Sequence, residues 1–279
     1  MQGHKYDIHF VLLVTKSYFH IYLLCMRKKS SVLFILFLPA ILSCTTINLQ
    51  RKVVPPIKSY VKVLHIVKVS ECVPEHKSTC PKGEFMSMGS GMIVNMIQDQ
   101  TIVITAGHVC ESEVDEKRIS KHSQEVSVLD YQGTEHQAHV IKATHDNGKG
   151  SVDMCALWVP TLNQNGVDFS MFAPRPGQEL YYLGSPAGVF HPPVMPILSG
   201  IYSGEIDASN AMISVAAIGG SSGSVILDMN NKMVGVLWAA HSFHHVTIMT
   251  NWRASALFMY EVIQMYTGKT NINLPLIKN

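Results

Sequence analysis

Ile218-Gly219-Gly220-Ser221-Ser222-Gly223-Ser224-Val225 is the stretch whose reading decides the fold. A serine among glycines, followed by an apolar strand, is what a nucleophile on a tight turn requires. Small neighbours let the backbone turn sharply and let a substrate carbonyl come close. The backbone N–H groups of Gly220 and Ser222 can then converge on a developing oxyanion. Ser221 and Ser224 compete for the nucleophile's role, but only Ser222 has glycine both two positions before it and immediately after it. A Gly/Ser-rich turn alone is also an ordinary loop. Two upstream stretches raise the signal: Thr105-Ala106-Gly107-His108 and Asp153-Met154-Cys155-Ala156-Leu157.

Histidine, aspartate and serine in that chain order, each in this setting, resemble the chymotrypsin/trypsin-like serine proteases. The closest look is to compact bacterial and viral members, including Deg-type proteases and glutamyl endopeptidases. Three further segments carry the resemblance: Met88-Gly89-Ser90-Gly91-Met92-Ile93-Val94 before the histidine, the turn Leu183-Gly184-Ser185-Pro186-Ala187-Gly188, and Lys232-Met233-Val234-Gly235-Val236-Leu237 after the serine. The similarity runs from about residue 83 to about residue 266. It implies an all-β protein of two six-stranded antiparallel barrels with a C-terminal helix. It also implies acyl transfer to water through a serine ester. Ser222 is then the nucleophile, His108 the base and Asp153 its orienter, with Gly220 and Ser222 amides as the oxyanion hole. Asp146, in the loop just before, competes with Asp153, and the apolar run after Asp153 favours the latter. Ala216, Ala217, Trp238, Ala239 and Ala240 are expected near the primary specificity pocket. No acid lies among them to bind a basic side chain, so cleavage after Lys or Arg is disfavoured. Ser221 stands where the animal digestive enzymes carry an aspartate, so activation by a new N-terminus is not expected. The expected substrates are proteins or peptides, without metal or organic cofactor. A catalytically silent, protease-like binding protein is the alternative.

The chain has 279 residues, enough for one medium domain with extensions. Its 22 basic and 20 acidic residues give a net charge of +2, and no basic stripe points to nucleic acid. Residues 1–44 read as targeting. A basic stretch (Met26-Arg27-Lys28-Lys29), an apolar run (residues 32–42) and Ser43-Cys44 follow one another in the order of a secretory signal. Cys44 makes the pattern resemble a lipoprotein signal, with Cys44 as the lipid anchor. A plain cleaved signal or an uncleaved anchor stays open. Residues 9–24 are apolar but interrupted by His9, Lys16 and His20, which suits translation from Met26; a first membrane segment is the rival. The expected location is outside the cytoplasm, periplasmic or extracellular, with attachment to a membrane through the N-terminus.

Residues 45–82 read as a tether and an N-terminal strand, residues 83–268 as the protease-like domain, and residues 269–279 as a tail. Strands are expected over 60–69, 85–96, 101–105, 126–131, 136–143, 179–183, 194–206, 211–215, 225–227 and 233–237, from β-branched and aromatic runs between turn residues. Residues 251–266 have helical spacing, with Gly268 as a stop. Beyond Cys25 and Cys44 the cysteines are Cys72, Cys80, Cys110 and Cys155, an even number that suits an oxidising compartment. If His108 and Asp153 pair, Cys110 and Cys155 become neighbours, and a disulfide would tie base to orienter; two buried thiols are the other reading. Cys72 and Cys80 close a short loop or stay free. His241, His244 and His245 lack a defined ligand spacing and read as a polar loop rather than a metal cluster.

Overall fold

A computed structural model describes residues 53–111, 115, 117–145, 152–241 and 245–267. The targeting segment with Cys44, the competing Asp146, His244 and the Gly268 stop lie outside the described residues. The first barrel is built from β1 (Tyr60–Cys72), β2 (Gly83–Val94), β3 (Ile102–Thr105), β4 (Ile119–Leu129), β5 (Glu135–Thr144) and β6 (Met154–Trp158), closed in the order β1-β2-β3-β6-β5-β4. The second holds β7 (Glu179–Leu183), β8 (Ile197–Glu205), β9 (Asn210–Ser214), β10 (Val225–Asp228), β11 (Met233–His241) and β12 (Val246–Thr250), closed as β10-β11-β12-β9-β8-β7. A one-turn helix, α1 (Gly107–Cys110), follows β3, and α2 (Trp252–Tyr266) ends the described chain. This is the expected trypsin-like double barrel. β1 is a stave of the first barrel, paired with both β2 and β4, so the barrel begins well before residue 83.

Several strands are apolar on both faces, and the period of two sorts their residues between two cores. Ile93, Val103 and Leu157 point into the first barrel, with Val61, Val63, Val126 and Val128. Ile226 and Tyr182 point into the second, with Ile213 and Val234. Their strand neighbours Met92, Val94, Ile102, Ile104, Tyr181, Leu183, Val225 and Leu227 form a third cluster shared by both barrels. Closure removes the sheet edges, and this shared core fixes one barrel against the other.

The C-terminal helix locks the same seam. Asn251 caps it by accepting the Ala254 N–H at 2.9 Å. Phe258, Met259 and Val262 enter the shared core, and Glu261 pairs with Lys142 of β5 at 2.9 Å. Both expected disulfides are present, Cys72–Cys80 and Cys110–Cys155. Strands β6 and β12 were not anticipated, and β4 begins earlier than its apolar part. Residues 120–125 (Ser-Lys-His-Ser-Gln-Glu) are exposed and polar, and they are held in the sheet by pairing with β1.

Candidate active site

Strand register brings His108 to Asp153. β3 and β6 pair antiparallel with Thr105 opposite Cys155. The residues just beyond Thr105 therefore meet those just before Cys155. Gly107 opens α1, where a Cβ would overlap the Thr144 carbonyl, so only glycine lets the turn close onto β5. Asp153 Oδ1 accepts the His108 backbone N–H at 3.0 Å, and Oδ2 accepts the ring Nδ1–H at 2.8 Å. The Cys110–Cys155 disulfide ties α1 to β6 beside this pair. The Asp153 side chain is 8% exposed and that of His108 32%. Burial pushes the Asp153 carboxyl up, but hydrogen bonds and charge from His108, with a contribution from His145, outweigh it and hold the group below its ordinary value. Nδ1 is thereby fixed as donor, which leaves Nε2 as the basic nitrogen.

The serine comes from the second barrel on a turn held by backbone hydrogen bonds. Ser221 N–H donates to Ile218 O (2.9 Å), Ser224 N–H to Ser221 O (3.0 Å) and Gly223 N–H to Leu237 O (2.7 Å). Gly220 and Gly223 take φ of +92° and +85°, a region that favours glycine. A Cβ on Gly223 would overlap Thr105 Oγ1 and the Ser90 carbonyl, and one on Gly220 the Ser185 carbonyl. The turn is thus pressed against the end of β3, three residues before His108.

Among the three serines only one is reachable. Ser221 and Ser224 are completely buried, while Ser222 is partly exposed. Ser222 Oγ makes no hydrogen bond among the described residues, to His108 or to any other group. The Gly219 carbonyl is held by the Ala187 N–H at 2.7 Å. In a planar trans peptide the Gly220 N–H must then point away from Ala187. The Gly220 and Ser222 N–H groups donate to no acceptor among the described residues.

Two residues with structural parts in the site carried no individual role in the sequence. Ser90 of β2 reaches across the seam: its N–H donates to Ser222 O (2.8 Å) and its Oγ to Gly220 O (2.8 Å). Ser185 N–H donates to Ser90 Oγ at 2.9 Å. Each stands in a glycine-containing stretch that carries the family resemblance, but nothing in the local spacing gives its contact across the seam. His145, just after β5, was missed altogether. Its Nδ1 lies 3.4 Å from Asp153 Oδ2.

The segments expected to form a specificity pocket flank the serine turn in sequence. Tyr182 Oη donates to the Ala216 carbonyl at 2.7 Å, and Thr247 Oγ1 to that of Val215 at 2.7 Å. Trp238 sits at a bulge between Leu237 and Ala239. Its Nε1–H bonds Asn210 Oδ1 at 3.1 Å, and its ring packs against the first-barrel core. Ala217 is half-buried against the second-barrel core, Ala239 is half-buried, and Ala240 is exposed. Among the described residues, His108, His145 and Asp153 are the group whose ligand atoms lie close enough to hold a metal ion, all within 4.8 Å of one another. An ion there would have to displace the His108–Asp153 hydrogen bond.

A double barrel with a His–Asp pair on one half and a glycine-held serine on the other defines the class of trypsin-like folds. The family model of the trypsin-like peptidase domain matches residues 89–236, more than half of the chain, and the chain belongs to that family. Its fold is similar to that of the active form of the Rv3671c protease from M. tuberculosis (TM-score 0.53, 20% identity, 74% of this chain and 84% of that one). It is also similar to an inactive form of the same protease (TM-score 0.50, 18% identity, 74% and 89%) and to the serine endoprotease from Yersinia pestis (TM-score 0.51, 15% identity, 72% and 62%). No curated protein sequence matches the chain.

Proposed function

We propose that the chain is a serine endopeptidase that hydrolyses peptide bonds through an acyl-enzyme. The observation that carries this reading is that the one accessible serine of the turn stands between unspent N–H groups, across the seam from a histidine already oriented by a buried carboxylate. Ser222 Oγ attacks the scissile carbonyl and passes its proton to His108 Nε2. Asp153 Oδ2 stabilises the imidazolium through Nδ1–H. Gly220 and Ser222 N–H groups receive the oxyanion. His108 then protonates the leaving amine, and water repeats the sequence on the ester. Ala216, Ala217, Trp238, Ala239 and Ala240 contribute to a specificity site without an acid, which favours small or apolar side chains over Lys and Arg.

We further propose that the enzyme is exported and tethered to a membrane at Cys44 or by an uncleaved signal. The basic–apolar–small order of residues 26–44 and the two disulfides support this. No helix among the described residues is long and apolar enough to cross a membrane. The second reading, a silent binding protein, draws on the missing hydrogen bond between Ser222 Oγ and His108. Incubating the protein with a mixed peptide library and sequencing the products decides between them. Cuts that vanish in Ser222→Ala are expected, and intact peptides with a folded, oxidised wild type would favour the silent protein.

A further inference from the structure

Asp153 Oδ2 has two imidazoles against it. His108 Nδ1 lies 2.8 Å away in hydrogen-bond geometry, and His145 Nδ1 lies 3.4 Å away. The pairing of Thr144 with Met154 between β5 and β6 makes this approach a property of the barrel, since His145 follows Thr144 and Asp153 precedes Met154. The His145 ring centroid is 5.9 Å from that of His108. Its side chain is 24% exposed, yet Nδ1 itself is buried and has no hydrogen-bond partner. A buried ring nitrogen without a partner is costly, and a bare lone pair facing a carboxylate adds repulsion. A proton on Nδ1 makes the 3.4 Å contact with Asp153 Oδ2 attractive, and a small rotation of the ring brings it to a hydrogen bond.

We propose that His145 is a positioning residue for the peptide hydrolysis proposed above, on which this inference rests. Its Nδ1–H braces Asp153 in the orientation where Oδ1 takes the His108 backbone N–H and Oδ2 the His108 ring. The groups facing His145 are His108 of α1 and Asp153 before β6. Glu111 after α1 and His122 of β4 line, with His145, a cavity of about 600 Å³. Removing His145 leaves the Asp153 carboxylate free to turn, and the two-point grip of Oδ1 and Oδ2 on His108 loosens.

The test uses the full chain carrying His145→Ala, His145→Gln or His145→Asn. The Asn amide N–H replaces Nδ1–H, whereas Gln places its amide nearer the position of Nε2. The NMR shift of the His108 Nδ1–H proton, in a Ser222→Ala background, reads the contact without requiring activity. That shift should move in the Ala and Gln variants and keep its wild-type position in the Asn variant. With Ser222 present, kcat should fall about five- to tenfold in Ala and Gln with KM unchanged, and recover in Asn. The same His108 Nδ1–H shift in all four proteins, or an Asn variant as impaired as Ala, would overturn the proposal. The NMR shifts without hydrolysis by the Ser222 enzyme would support the His145–Asp153 contact and overturn the protease reading instead.

Discussion

The two halves of the candidate site are built by opposite means. On the first barrel, His108 and Asp153 are fixed by side chains: two hydrogen bonds from one histidine to one carboxylate, and a disulfide beside them. On the second, Ser222 is fixed by backbone: a turn with two left-handed glycines, closed by main-chain hydrogen bonds and braced by Ser90 from the other barrel. The difference fits the chemistry proposed for each. A base needs a chosen tautomer and a counter-charge, which only side chains supply. A nucleophile with an oxyanion hole needs its own N–H groups unspent, so its turn must be held by carbonyls and by neighbours. The first half should accordingly be sensitive to charge and redox state, the second to volume and φ.

The largest expected effect asks whether the halves form one centre. Ser222→Ala and His108→Ala should each lower kcat by roughly 10⁴–10⁶, and the double variant should be no worse. Losses that multiply in the double variant would separate the halves. Next comes the serine turn alone. Gly223→Ala puts a Cβ at φ +85° against Thr105 and Ser90. It should cost about 2–4 kcal/mol in denaturant unfolding, and activity with it, while the NMR signature of the His108–Asp153 pair survives. Loss of that signature too would show that the halves are not independently built. Ser90→Ala is milder. Without the Oγ bond to Gly220 O, kcat should fall up to about 10²-fold through misplacement of the turn, with little change in KM.

Reduction addresses the first half. Cys110–Cys155 spans 45 residues and Cys72–Cys80 only 8. Replacing the former pair by alanine should lower stability by about 2–4 kcal/mol, and replacing the latter by less, since the shorter loop restrains the unfolded chain less. The smallest effect is acid linkage. His65 is fully buried, and burial pulls its pKa below 6.5 despite its hydrogen bond to Gln124. Below pH 6.5 the unfolded chain takes up the proton first, so stability falls as pH drops toward the folded value. Asp153 is held below 3.8, so its contribution is present above that pH and is lost as pH falls through the lowered value. Unfolding curves against pH should show the upper loss vanish in His65→Leu while the lower one remains.

Most of the architecture was legible because its strands are apolar and its turns carry glycine. The helix over 252–266 begins one residue after its expected start, with Asn251 as its cap, and residues 179–183 matched a strand residue for residue. The parts that hid share a cause. The N-terminal half of β4 is polar and is held by pairing with β1, which leaves no period in the sequence. β12 follows a histidine-rich stretch of sequence and alternates weakly. His145 and Ser90 matter through strand register and across the seam, and neither relation can be read from local spacing. The local glycines pointed to Ser222, which is the partly exposed serine of the turn, whereas Ser221 and Ser224 are buried.

The most direct test of the central claim is to treat the purified, oxidised protein with a fluorophosphonate probe and locate the adduct by mass spectrometry. The account predicts one adduct, on Ser222, absent from Ser222→Ala and lost in His108→Ala. No adduct on a folded wild type, or an adduct that persists in Ser222→Ala, would contradict it.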